Sequence, residues 1–362
     1  MPKFSDASNS PQRELANPPT DAISSIKFSP HSDSRLLVAS WDKHVYLYDT
    51  SQDDENQLIK KFEHRAPVLD VCFGKDDNEA FSGGLDMDVR KIDLTTGEQT
   101  VLSTHDKAVK ALVYSTQHSM LISGSWDSSI HIHHPDNKPD YPSTLPLPSK
   151  VYSLSLAPTR LVISMASRAL YIYDLYSLNT LAASAESEPP NTLNAEPWQR
   201  RESALKHLTR TTACMPSDEG YATSSIEGRI AVDWFDSSEE SQARKYAFKC
   251  HRQNGGKDPE TGEEIDVVYP VNALAFHPTL GSMASGGGDG QVLLWDPLSK
   301  RRTKAYAPLP ASVAAVEFNR AGNLLAIAIS SGFEDGKVDM VEGSARVFVR
   351  ELAENEAKLK KK

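Results

Sequence analysis

"MASGGGDGQVLLWD", residues 283–296, poses the fold question in one line. Two segments of alternating apolar residues flank a glycine-rich turn whose aspartate can hold the backbone two residues on, so the stretch reads strand, turn, strand. Three further segments repeat it: "LLVASWDKHVYLYD" at 36–49, "AFSGGLDMDVRKID" at 80–93 and "LISGSWDSSIHIHH" at 121–134. An alternating apolar segment precedes each one: "ISSIKFSP", "PVLDVCFG", "AVKALVYS" and, before the opening stretch, "PVNALAFHP".

Starts of the first three copies lie roughly 40 to 45 residues apart, the period of four-stranded propeller blades. Weaker copies at 150–175, 208–234 and 312–352 bring the number to seven. Seven blades close a ring and so remove the open sheet edges that would pair with other chains. The expected fold is all-β, a single seven-bladed WD-repeat β-propeller over residues 21–352, with Trp295–Asp296 as its intact WD dipeptide. Residues 1–20 read as a flexible leader and 353–362 as a charged tail. Polar insertion loops are expected at about 184–202, 252–266 and 330–344.

Composition narrows the function. The chain has 362 residues, 39% hydrophobic and 8% aromatic, enough for a packed core. No apolar run approaches the roughly 18 residues of a membrane span, and the polar N-terminus carries no secretory signal, so a soluble intracellular protein is expected. Cys72, Cys214 and Cys250 are far apart, which fits reduced thiols. Cys250 beside His251 suggests a metal only weakly, because neighbours on a strand face opposite ways and no second pair exists. A net charge of −10 is the wrong sign for bulk nucleic-acid binding. Ser, His and Asp recur at fixed offsets (Ser82, Ser123 and Ser285; Asp86, Asp127 and Asp289; His64 and His105), but a catalytic triad has no reason to repeat around a ring. Internal hydrogen bonds that fix the turns explain them better, and neither an enzyme nor a cofactor is expected.

One turn departs from the pattern. In "SSIEGRIAVDWFD", residues 224–236, Glu227 takes the carboxylate position and Arg229 follows two residues later. Arg229 could be a solvated charge paired to Asp233 on the same strand face. Its sequence neighbourhood is basic, however: Arg200, Arg201, Lys206, His207, Arg210, Arg244, Lys245, Lys249 and Arg252. Such a patch in an acidic chain selects a partner with localised negative charge, a phosphate or a glutamate-rich peptide. Turns between second and third strands gather on one face of a propeller, which brings Trp41 and Trp126 to the same surface. Each either wedges between blades or serves as a binding anchor.

Together "LLVASWD", "AFSGGLDMDVRKIDL", "KVYSLS", "RRESALKHLTR", "SSIEGRIAVDW", "KYAFKCHR" and "YPVNALAFHP" resemble the Bub-type spindle-checkpoint WD-repeat family over about residues 21–332. The resemblance implies a nuclear adaptor, at kinetochores in mitosis. Such an adaptor binds the GLEBS segments of a checkpoint kinase and its kinase-like relative, and recruits them to phosphorylated MELT motifs of a kinetochore scaffold. Contact with the mitotic checkpoint complex and the anaphase-promoting complex would be indirect, with no membrane and no direct nucleic-acid role. By motif, the family's phosphate-reading positions fall on Arg229 and Lys249 with Trp41 beside the peptide. Its GLEBS-binding surface falls on Arg210 and Trp126, with Glu240 a looser match. The messenger-RNA export WD-repeat family is the nearest alternative, sharing a "SIEGR"-like turn, with a nucleoporin GLEBS segment and single-stranded RNA as ligands. A generic propeller subunit of a ubiquitin ligase or chromatin complex would share only the fold.

Overall fold

Short β-branched and apolar runs broken by Gly, Asp and Ser turns favour hairpins, and hairpins are what each repeat makes. In the computed structural model, residues 12–52, 56–137, 141–184, 191–257, 261–262, 264–332 and 341–359 are described. Seven sheets form the ring, antiparallel except for a short fifth strand, Asn191–Thr192, that pairs parallel to Ser143–Pro146 on blade 3, and six of them have strands in sequence order from the centre outward. Blade 1, for example, runs Ile23–Phe28, Arg35–Ser40, His44–Asp49, Leu58–Glu63. Blade 5 runs Thr209–Cys214, Gly220–Ser225, Arg229–Trp234, Tyr246–Lys249. The seventh blade takes its outer strand from the other end of the chain. Among the described residues no helix is long and apolar enough to cross a membrane.

Apolar side chains meet between blades rather than in one central core. Leu37, Val45 and Phe62 of blade 1 pack against Val71, Phe73 and Ile92 of blade 2, and similar layers recur around the ring. Each innermost strand also carries a register shift near its start, as between Val109 and Ala111 or between Thr209 and Thr212. A β-bulge re-aims the side chain beside it. Here it turns one residue per blade, Lys110 and Arg210 among them, into the mouth of a central channel of about 560 Å³.

Of the N-terminal segment expected to be flexible, residues 12–20 are described, and they are part of the ring. Gln12–Glu14 pairs with Arg346–Glu351 as the outer strand of blade 7, Arg13 opposite Val349. Leu15 is 1% exposed, and the Tyr48 hydroxyl donates to Asn17 O at 2.8 Å. A polar tripeptide suffices because an outer strand contributes mainly backbone hydrogen bonds. The tail is likewise tied down as far as residue 359: the Glu356 side chain, 2% exposed, meets Arg350 at 3.4 Å and Lys304 at 3.5 Å.

Two expected loops contain structure. Within 184–202, Gln199–Glu202 is the outer strand of blade 4, in register with Ala169–Asp174. Its charges suit an edge, with Arg200 over the Tyr171 ring and Arg201 donating to Trp234 O. The helix Leu175–Ser184, which precedes it, buries Leu175, Leu178 and Ala182. Within 252–266, Arg252–Lys257 pairs with Glu264–Val268 as a separate two-stranded ribbon. Of the 330–344 loop, residues 333–340 lie outside the described residues.

The repeated Ser, His and Asp residues are linked in blades 3 and 6, whereas in blade 2 His64 bonds Ser82 and Phe62 O and Asp86 pairs with Arg65 and Arg90. In blade 6 the Trp295 indole N–H donates to Ser285 Oγ (2.9 Å), which contacts His251 Nε2 (2.8 Å), and His251 Nδ1 meets Asp289 Oδ1 (2.8 Å). The carboxylate only accepts, so Nδ1–H donates to it, and the serine hydroxyl, accepting from the indole, donates to the unprotonated Nε2. In blade 3 His105 bridges Ser123 and Asp127 in the same way. His133 follows a different rule, bonding Ser103 rather than the turn serine.

Buried histidines give the fold a pH dependence. Burial first, then the neighbouring His105 and His133, push His131 down to about 3, while Ser103 bonds its Nδ1. Burial likewise lowers His64 and His277. An unfolded histidine titrates near roughly 6.5, so these rings contribute stability that is complete above that pH and is lost as pH falls towards their folded values. Thermal midpoints should drop by several degrees between pH 7 and 5, before carboxylates protonate, and drop less in His131→Gln. Equal drops in the two proteins would mean that His131 is not one of the groups responsible.

Candidate functional site

Blade 5 builds the cationic pair from two strands. The turn at 226–228 starts the third strand at Arg229, the fourth ends at Lys249, and the two residues are direct cross-strand partners. Gly228 makes the turn possible: its φ is +61°, and a Cβ there would stand 2.7 Å from Cys250 O. Glu227 faces inward, accepting from Lys206 N at 3.3 Å, with Arg229 Nε and His207 Nε2 each 3.6 Å from its Oε2. Among the described residues no hydrogen bond engages the Arg229 side chain, and Lys249 is exposed with no ion pair. Asp233, the expected partner of Arg229, lies at the far end of the strand with Lys245 at 2.8 Å and Arg201 at 3.7 Å.

The fold therefore splits the basic patch that the sequence runs together. Arg200, Arg201, Arg244 and Lys245 belong to the opposite end of the blades, held by Glu196, Asp233 and the Trp234 ring. Lys206, His207, Arg210, Arg229, Lys249 and Arg252 remain on the turn face.

Arg210 sits at the channel mouth, Nε and Nη2 donating to Asn272 Oδ1 at 3.2 and 2.9 Å. Asn272 in turn donates to Ser312 Oγ and Val313 O, so the guanidinium is positioned by a chain through three blades. Lys110 lines the same channel, and burial, reinforced by the Arg210 charge, lowers its pKa. Sequence reading missed Lys110; the signal was its place beside the bulge, equivalent to that of Arg210.

Trp41 is 43% exposed on the blade 1 turn, so it is not a wedge between blades. Trp126 is half-buried on the blade 3 turn, its indole nitrogen buried without a hydrogen-bond partner. Glu240 is a correction. It lies in the helix Glu239–Ala243 between the third and fourth strands, and that connection leaves blade 5 at the end away from Arg229 and Lys249. It cannot share a peptide on the turn face with Arg210 and Trp126.

Charge and apolar area coincide on this face. The turn carboxylates of Asp42, Asp86, Asp127 and Asp289 point inward, 1 to 9% exposed. Lys43, Arg65, Lys107, Lys150, Lys206 and Lys249 are exposed around it. Exposed Trp41, Met87, Leu208 and Ile226 lie among them. In a chain of net charge −10, this is a basic surface with apolar anchors, suited to an acidic or phosphorylated peptide.

Comparison with known proteins agrees with the fold. The "WD domain, G-beta repeat" family model matches residues 9–49, 97–134 and 267–296. The chain is 44% identical over 354 residues to "Mitotic checkpoint protein BUB3.1" of Arabidopsis thaliana, covering 97% of this chain and 95% of that one. It is 37% identical to "Mitotic checkpoint protein bub3" of Dictyostelium discoideum over 90% and 91% of the two chains. "mRNA export factor GLE2" of Chaetomium thermophilum is 31% identical over 89% and 85%. With this similarity running through every blade, the chain belongs to the Bub3 family of WD-repeat mitotic checkpoint proteins.

Proposed function

We propose that the chain is a spindle-checkpoint adaptor whose turn face holds two acidic peptides. A GLEBS segment of a checkpoint kinase or its kinase-like relative lies across the channel mouth, where Arg210 meets its carboxylates and Trp126 its apolar side chains. A phosphorylated MELT motif of a kinetochore scaffold binds beside it. Arg229 supplies forked hydrogen bonds to the phosphothreonine, Lys249 adds a point charge, and Trp41 packs on the peptide. The site of action is the nucleus, and the kinetochore in mitosis. The supporting observation is the basic, apolar-studded turn face with the Arg229–Lys249 pair in register on it.

The test is a calorimetric titration of a MELT-type peptide into protein preloaded with a GLEBS segment. Only the phosphorylated form should bind, and Arg229→Ala should weaken it by roughly 1.5–3 kcal/mol, the worth of a hydrogen bond to a charged group. Equal binding of both peptides would refute the assignment. The export reading draws support from relatives such as the Chaetomium protein; it requires single-stranded RNA binding that falls steeply with salt.

A further inference from the structure

The ribbon of Arg252–Lys257 and Glu264–Val268 belongs to no blade, and apart from Arg252 each residue of its two strands is exposed. A two-stranded ribbon with both faces in water is marginal on its own. It nevertheless presents Ile265, Val267 and Val268 at 39, 41 and 37% exposure. Ile265 and Val267 share one face, and opposite them stands Gly255, where a Cβ would come within 2.9 Å of Val267 Cγ2.

The base of the ribbon is fastened to the Arg229 turn. Arg252 Nη2 donates to Glu227 O at 3.0 Å, and Cys250 N donates to Gly228 O at 2.9 Å. A Cβ on Gly228 would stand 3.0 Å from Val268 Cγ1. Val268, at the root of the ribbon, thus stands beside the residue before Arg229, and Ile265 and Val267 follow along the same strand on its other face. A free phosphate has nothing with which to cover them. A phosphopeptide brings both the anion and the aliphatic side chains.

We infer that the ribbon is a second wall of the phosphopeptide site, taking an aliphatic side chain within a few residues of the phosphothreonine. This rests on the reading of Arg229 and Lys249 given above. The test uses the full chain loaded with a GLEBS segment, and three MELT-type peptides: phosphorylated, unphosphorylated, and phosphorylated with the aliphatic residues changed to Ala. The variant is Ile265→Ser/Val267→Ser, whose exposed positions should leave the thermal midpoint unchanged. The parent should bind the Ala peptide roughly tenfold more weakly than the aliphatic one, the worth of covering one aliphatic side chain. The variant should bind the aliphatic peptide about as weakly as the Ala peptide. If parent and variant discriminate equally while Arg229→Ala still weakens binding, the ribbon has no such role and the phosphate assignment stands. If the parent ignores phosphorylation, the phosphate assignment fails and the inference fails with it.

Discussion

A chain lacking residues 1–15 should melt at least 5–10 °C below the full-length protein and form oligomers. The truncation strips the outer strand from blade 7, with its pairs Gln12–Arg350, Arg13–Val349 and Glu14–Phe348, and empties the site of Leu15. Removing Leu15 alone costs about 2–5 kcal/mol by the usual range for a buried leucine, a domain of this size loses roughly 1–2 °C per kcal/mol, and the lost strand pairing adds to the shift. The bared strand Arg346–Glu351 would then offer its edge to another molecule. Scanning calorimetry and light scattering read both effects, with Leu15→Ala as the milder case. An unchanged midpoint would mean that the blades hold without this closure, the Lys27–Glu317 ion pair at 3.4 Å across the same seam being sufficient.

His251→Ala should destabilise the protein by about 3–5 kcal/mol, comparable to breaking a buried charged pair. The imidazole bonds Asp289, 1% exposed, and Ser285, 0% exposed; Ser285 would keep the Trp295 indole, but among the described residues no other side chain bonds Asp289. Ser285→Ala leaves the His251–Asp289 bond in place and should cost nearer ~2 kcal/mol, the net worth of its two hydrogen bonds, to His251 and from Trp295. Urea unfolding separates the two. The His251 backbone carbonyl accepts from Tyr269 N at 3.0 Å at the root of the ribbon, and the variant keeps that bond. Equal stability losses in His251→Ala and Ser285→Ala would show that the carboxylate is not held through the imidazole.

Blade number and strand order were legible because each hairpin is local: alternation and an aspartate turn fall within about a dozen residues. His251 escaped that reading because the ribbon inserts between it and blade 6, where His64 and His105 directly precede their blades. Gln12–Glu14 escaped for the opposite reason, since a three-residue polar strand has no alternation and pairs with residues more than 330 positions later. Arg229 stood out as an intrusion into a repeated turn, and the fold places Lys249 beside it. Glu240 was misplaced because a short motif match carries no information about which end of a strand a connection leaves. The same blindness merged Arg244 and Lys245 with Lys249, although the strand Tyr246–Lys249 carries the chain from one face of the disc to the other.

The bulge at the head of every inner strand separates two demands that most proteins must satisfy with the same residues. Side chains that cement neighbouring blades lie along the strands. Those turned into the channel mouth, such as Ser24, Lys110, Tyr152, Arg210 and Asn272, stand outside these apolar layers, although Ser24, Arg210 and Asn272 also hydrogen-bond the neighbouring blade. The apolar layers therefore do not dictate which side chain fills each of the seven sockets. A change of ligand at the channel mouth thus asks for new side chains at a few bulge positions and for none in the apolar layers between blades.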